Sequence, residues 1–420
     1  MSFIFDASID FARSKDASDL LSAYRAQFHI PQVAGRDAIY LCGNSLGLQP
    51  KSYKSLAQQE MDDWARYGVE GHFLAKNPWF GYHHLFSERL AAVVGAKKDE
   101  VVVMNTLTVN LHLLMISFYR PLAGRYKILM EAGAFPSDQY TVETQVRMHG
   151  YDPADAIIEV APRPGEHLIN EEDVIAAIEK AGGNLALVMI GGMNYYTGQF
   201  FDLEAITQAA HKVGANAGYD LAHAAGNMPL SLHDWGVDFA CWCSYKYMNA
   251  GPGAVGGVFV HKKHTQNPAI FRLGGWWGND EKTRFKMEKG FVPQPNAGSW
   301  QMSNAPIMNM IGLNASLDIF AEVGMAAIRA KSLELTAYMQ YLLDEIKHLP
   351  FTVITPREPQ KRGCQLSLLF EERGREVFEA LTQRGVIADW REPNVIRIAP
   401  VPLYNSFEDC HTFFEVLQRI

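Results

Sequence analysis

The sequence predicts an α/β protein, with a large domain on a mostly parallel sheet flanked by helices and a smaller α+β domain after it. Three observations predict this. From about residue 100, short runs rich in Val, Ile and Leu alternate with helix-like stretches. Those runs show little polar–apolar alternation, as expected of strands covered on both faces. After about residue 304 the pattern changes to long helical stretches followed by short strands. Strand, helix and strand in succession imply right-handed crossovers and parallel pairing.

Each element has its own signal. VVVMN (101–105) precedes the helical stretch TVNLHLLMISFY, and YKILMEA (126–132) precedes SDQYTVETQVRMHG, where Ser137 is placed to cap and Gly150 to end the helix. AIIEVA (156–161) precedes NEEDVIAAIEKAGG, with an Asn170 cap, an acidic first turn and a closing Gly182. LALVMI (185–190) precedes DLEAITQAAHKVG, and AGYDLA (217–222), DFACWCSY (238–245) and VGGVFVH (255–261) follow. Pro306 opens a long helical region. Beyond it lie the strands FTVITP, CQLSLLF and VIRIAP and the helices EVFEALTQRG and FEDCHTFFEVLQRI. The expected division is residues 1–50 packing with the small domain, 51–310 as the large domain and 311–420 as the small one.

Composition narrows the function. The chain has 420 residues, 48% of them hydrophobic and 20% charged, which excludes a disordered chain. Thirty-eight Lys and Arg against 46 Asp and Glu give a net charge of −8 with no basic block, so neither nucleic acid nor an anionic membrane is the expected partner. No apolar run approaches a membrane span, and Asp6 interrupts the N-terminus before a secretory h-region forms. The five cysteines, Cys42, Cys241, Cys243, Cys364 and Cys410, have neither zinc-ligand nor disulfide-scaffold spacing. The expectation is a soluble cytoplasmic protein without a metal.

Two motif matches fail on context. Gly251 to Gly256 fits G-x-G-x-x-G, yet leads into a strand instead of the helix N-terminus that holds a pyrophosphate, and Pro252 removes a donor. Gly43 to Gly47 fits G-x-S-x-G, with Ser45 as the nucleophile of a rival serine-hydrolase reading. Leu48-Gln49-Pro50 intervene before any helix, however, and almost no sheet precedes the turn.

The chemistry concentrates in Tyr219-Asp220-Leu221-Ala222-His223 and Trp242-Cys243-Ser244-Tyr245-Lys246-Tyr247. Asp220 and Lys246 end successive apolar runs, at the strand ends where ligands of open α/β sheets collect. A lysine that forms a Schiff base with an aldehyde, beside a carboxylate that keeps a pyridine nitrogen protonated, is what a pyridoxal 5'-phosphate site requires. Singly, each residue has a plainer reading: a solvated lysine tip, a turn aspartate, a core histidine. Asn105-Thr106-Leu107-Thr108 opens a helix after the first strand of the alternation, which suits the cofactor phosphate. Phe135-Pro136-Ser137-Asp138 follows the second strand at the same end, making Ser137 and Asp138 candidate contacts beside Phe135, whose ring is placed to stack or simply to fill the core.

GNSLG, FPSDQY, YYTGQ, YDLAHAAGN, SYKY, GGWWG, SWQMSNAPI, RGCQLS and IRIAPVPLYNSF, in this order, resemble the kynureninase family across roughly residues 40 to 410. The resemblance implies pyridoxal-phosphate fold type I and hydrolysis of the Cβ–Cγ bond of L-kynurenine or 3-hydroxy-L-kynurenine, giving anthranilate or 3-hydroxyanthranilate and L-alanine. It implies Lys246 as the Schiff-base lysine and Asp220 as partner of the pyridine nitrogen. Leu107, Thr108, Phe135, Asp138, His223 and Tyr245 would be cofactor contacts, with Tyr245 as candidate acid–base. Trp276 and Asn304 match positions that reach the site from the other subunit, implying a homodimer. Arg397 matches the arginine for the substrate α-carboxylate, and Ser45 and His72, with Asn304, positions near the substrate ring. Gly191 departs from the family, where a hydroxyl residue can stand. The alternative within the fold is a cysteine desulfurase-like lyase, which would usually place histidine before the lysine and use a loop cysteine. Here Tyr245 precedes Lys246, and Cys364 reads as a buried strand residue.

Overall fold

The computed structural model describes residues 4–420. Its centre is a seven-stranded sheet of β1 (Val101–Met104), β2 (Lys127–Glu131), β3 (Ile157–Val160), β4 (Leu185–Gly191), β5 (Asn216–Asp220), β6 (Phe239–Cys243) and β7 (Gly256–Val260). They lie side by side in the order β1-β7-β6-β5-β4-β2-β3. Strands β3, β2, β4, β5 and β6 are parallel, whereas β7 is antiparallel to both its neighbours. The exception has a local cause. Residues 244–255 form no crossover helix, so the chain leaving β6 turns straight back as β7. Every residue of β4, β6 and β7 is buried, which is why these strands read as unbroken apolar runs.

Helices Leu107–Phe118, Pro136–Met148, Glu171–Ala181 and Leu203–Lys212 follow strands β1 to β4 in turn. Two capping expectations need correction. Ser137 caps nothing: Phe135 is the N-cap and Pro136 the first helical residue, because the fixed φ of proline starts the helix one position earlier. Asn170 holds the N-cap position, but its amide donates to Glu166 Oε2 (2.7 Å) instead of accepting from the helix. Asp202 does cap, accepting from Ala205 N at 2.9 Å.

Helices Ile307–Val323 and Met325–Asp344 meet at 83°, and no single helix among the described residues is long and apolar enough to cross a membrane. Beyond them an antiparallel sheet, ordered β8-β9-β11-β10, is formed by β8 (Phe351–Val353), β9 (Leu366–Phe370), β10 (Asp389–Arg391) and β11 (Val395–Ile398). Its core includes Leu335, Phe370, Leu381, Ile396 and Phe413.

The first fifty residues divide between two cores. Ala12, Ile39 and Leu41 join the small one, and Asp16 accepts from Phe407 N (2.7 Å) and Glu408 N (2.9 Å), capping the last helix, Phe407–Gln418, from outside. Phe28, Tyr40 and Leu48 join the core of the large sheet. This crossing carries the turn Gly43–Gly47 to the edge where β6 ends.

Candidate active site

The carboxyl ends of β2, β4, β5 and β6 bring Glu131, Gly191, Asp220 and Cys243 to one edge of the sheet. There a cleft gathers nine of the residues singled out by the sequence: Leu107, Thr108, Phe135, Ser137, Asp138, Asp220, His223, Tyr245 and Lys246. Lys246 reaches it from the turn after β6. The turn is braced by Gly47, whose N–H donates to Tyr245 O at 2.8 Å and whose missing Cβ would lie 2.3 Å from Lys246 O. No residue with a side chain fits there.

Within the cleft, Lys246 Nζ and His223 Nε2 are 3.1 Å apart, and Nζ lies 5.8 Å from the Phe135 ring centroid and 5.9 Å from that of Tyr245. Asp220 Oδ1 accepts from Ala222 N at 2.7 Å, and its carboxyl is hydrogen-bonded to that of Asp138. Burial raises both acids, Asp138 further because the Asp220 charge faces it, while Lys246 pulls both down. Burial, together with the charge of Lys246, holds the His223 imidazole neutral. Burial also raises the Tyr245 phenol, keeping it protonated.

At one end of the cleft the helix Leu107–Phe118 begins with no side-chain cap on its first N–H groups, after Asn105 in the left-handed region (φ 44°). Free N–H groups at the positive end of a helix dipole form an anion site. Two buried polar atoms, Asp138 Oδ1 and His223 Nδ1, have no protein partner. An amine for an aldehyde, a carboxylate for a ring nitrogen, an N-terminal cradle for a phosphate and unpartnered polar atoms between them fit pyridoxal phosphate.

The remaining expected residues lie elsewhere. Arg397 and Ser45 share a neighbouring cluster. Arg397 Nη1 donates to the carbonyl of Tyr195, a cleft residue, at 2.7 Å, and Nη2 lies 3.3 Å from Ser45 Oγ and pairs with Asp389. Ser45 donates to Asp389, no histidine bonds it among the described residues, and the next helix starts only at Tyr53, so the nucleophile-elbow geometry is absent. His72 Nδ1 is bonded to Val69 O at 2.9 Å, outside the cleft. Trp276 is 44% exposed, with Nε1 donating to Arg284 O. Asn304 is exposed and lines a separate hollow with Asn105 and Thr106, on the other flank of the same helix start.

Sequence reasoning missed Glu131, Met193 and Tyr195 in the cleft and Asp389 beside Arg397. The signal for Glu131 was available, since it ends an apolar run at the same sheet edge as Asp220. Cys364 is buried and its thiol is pushed up to about 12 by burial, as an inert cysteine should be, but it lies in a bend two residues before β9 and not in the strand that the sequence suggested.

This sheet order, with a lysine and an aspartate on adjacent strand ends, defines a pyridoxal-phosphate enzyme of fold type I. Solved structures agree on the fold. A cysteine desulfurase from Escherichia coli superposes with a TM-score of 0.77 at 17% identity, covering 95% of this chain and 98% of that one. A C-DES variant with glycine covalently linked to its PLP cofactor gives 0.77 at 16%, covering 94% and 98%. Residues 328–417 match the family model described as the kynureninase C-terminal domain. The kynureninase of Flavobacterium johnsoniae is 54% identical over 99% of this chain and 98% of its own length, and that of Myxococcus xanthus 53% over 99% and 98%. The chain belongs to the kynureninase family.

Proposed function

We propose that the chain hydrolyses the Cβ–Cγ bond of an L-kynurenine-type substrate, releasing an anthranilate and L-alanine. The observation that carries this reading is the joint placement of Lys246 and the Asp138–Asp220 pair in one cleft, in a chain about half identical to kynureninases over its whole length. Bound pyridoxal phosphate supplies an electron sink for the carbanion formed at the substrate Cα.

Lys246 Nζ would be the amine that holds the cofactor aldehyde, and would be the base that takes the substrate's Cα proton. Asp220 holds a proton at the ring nitrogen, with Asp138 sharing the burden of a buried negative charge. Leu107 and Thr108 offer N–H groups to the phosphate, beside Ser137 and Tyr245. His223 and Phe135 bound the ring space. Tyr245, kept a phenol by burial, orients the water that adds at Cγ and protonates the Cβ carbon as it is released. Arg397 binds the α-carboxylate through its planar fork.

Ser45, His72 and Asn304 attend the aromatic ring, with Trp276 and Asn304 contributed by a second copy in a homodimer. This reading accounts for the distance of Trp276 and Asn304 from Lys246 within one chain. The units are residues 1–50, 51–310 and 311–420, and the five unpaired cysteines suit a reducing cytoplasm.

The test uses purified wild type and Lys246→Ala incubated with pyridoxal phosphate. Wild type turns yellow, loses the band on borohydride treatment and forms anthranilate from L-kynurenine, with no activity on L-cysteine or a p-nitrophenyl ester. A wild type that takes up no cofactor, or a Lys246→Ala variant that turns over normally, overturns the reading.

A further inference from the structure

Glu131 lies on the wall of the cleft and has no part in the mechanism above. Both of its oxygens are 3.1 Å from Gly191 N, on the neighbouring strand. A Cβ on residue 191 would come within 2.9 Å of Glu131 Oε1, so the bare backbone of Gly191 is what lets the carboxyl lie against β4. The charged groups acting with Glu131 are Asp220 and Asp138, and the other titratable groups on the cleft are Lys246, His223, Cys243 and Tyr245.

Burial pushes Glu131 up to about 8, so near neutral pH it carries a proton. A neutral carboxyl needs only one oxygen to accept from Gly191, which leaves an O–H to give. Among the described residues no side-chain donor bonds either oxygen, and the carboxyl stands on the wall of the cleft. It therefore has a donor to spend inside a cavity whose ligand carries an oxygen on its ring. Carboxylic acids kept neutral in apolar sites serve as such donors elsewhere.

We propose that Glu131 is a further cofactor-binding residue, donating a hydrogen bond as a neutral acid to the ring oxygen of pyridoxal phosphate. The proposal rests on reading the cleft as the pyridoxal-phosphate site. Its charge logic is complementary to that of Asp220: one acid stays ionised for the ring nitrogen, the other stays protonated for the ring oxygen. Gly191 and Glu131 then act as one unit, the first making room for the second.

The experiment compares wild type, Glu131→Gln and Glu131→Met. The amide retains an acceptor for Gly191 and a neutral donor for the cofactor, whereas Met keeps the length and loses both. The readouts are the dissociation constant of pyridoxal phosphate, the visible spectrum across pH, and the Tm of each cofactor-free protein. The expected result is binding weakened about tenfold or more in Glu131→Met, with a shifted band, and within about twofold of wild type in Glu131→Gln. As pH rises through about 8, wild type loses affinity as Glu131 ionises, a step Glu131→Gln lacks.

A Met variant that binds and absorbs like wild type overturns the proposal, as does a Gln variant as impaired as the Met variant. If the Met variant does not fold, the pH comparison decides alone, and parallel alkaline losses in wild type and Glu131→Gln overturn it. A wild type that takes up no cofactor instead overturns the reading of the site itself, and this proposal with it.

Discussion

Arg397 and Asp389 face each other across the antiparallel strands β11 and β10 and form a buried ion pair. Arg397 is 1% exposed and also donates to the carbonyl of Tyr195, a cleft residue, so its guanidinium is held from both sides next to the cleft. Asp389 in turn takes Arg391 Nη2 at 3.1 Å and the Ser45 hydroxyl. A guanidinium so braced loses little freedom when it binds a carboxylate.

A substrate carboxylate held this way depends on the planar geometry of arginine and not on charge alone. Arg397→Lys should raise KM for L-kynurenine about tenfold or more, with kcat much less affected. Steady-state kinetics at saturating cofactor decide it: an unchanged KM would remove Arg397 from substrate binding.

Removing the proton-holding charge at Asp220 acts on a different step. Asp220→Asn should keep the yellow colour, because Lys246 is untouched, while kcat falls by about a hundredfold or more. Comparable turnover by the variant would contradict the assigned role.

Gly47 has no room for a methyl group against Lys246 O and the Asn249 side chain, both 2.3 Å from its ideal Cβ. Gly47→Ala should therefore displace the lysine turn and weaken cofactor uptake, which equilibrium dialysis measures. A variant loading normally would show that this turn tolerates movement.

Asp238 underlies the far end of β6. It is buried, accepts from Ala217 N at 2.7 Å and pairs with His211, His264 and Lys263. Burial alone would raise its carboxyl, but hydrogen bonds from the two histidines and the Lys263 charge hold it well below the ordinary carboxylate range. A depressed folded pKa stabilises above the unfolded value of 3.8 and loses that contribution as pH falls below it. Asp238→Asn should cost about 3–5 kcal/mol near neutral pH in urea unfolding, with the gap to wild type narrowing below pH 3.8. A constant gap would mean that the pairing contributes nothing.

The proposed homodimer, with sites shared between its two chains, predicts complementation. Lys246→Ala and Asn304→Ala should each be inactive alone, and mixed dimers should regain activity, because one of their two sites then draws both residues intact from different chains. Mixtures as dead as the parents would place Asn304 outside the site.

The sheet was legible because β4, β6 and β7 are buried on both faces and read as unbroken apolar runs. Asp220 and Lys246 were legible for the same reason, since each stands where such a run stops. Glu131 stands in the same kind of place, but a lone acid at a strand end resembles a solvated tip until its neighbours are known. Asp389 became meaningful only through the β10–β11 register, which no local pattern announces. Ser137 misled because its hydroxyl suits a cap, while the preceding proline had already begun the helix. His72, Trp276 and Asn304 do not line the cleft with Lys246 within one chain, and for Trp276 and Asn304 it was the family resemblance, not the local pattern, that pointed to a second copy.

The reversed direction of β7 bears on how the enzyme keeps its amine. The segment bearing Lys246 is stitched at both feet, to β6 before it and to β7 after it, and those two strands are zipped to each other from Cys243 and Gly256 outward. On the reading proposed above, a lysine that gave up its place to an incoming amino acid would still be held at the cleft by these two feet.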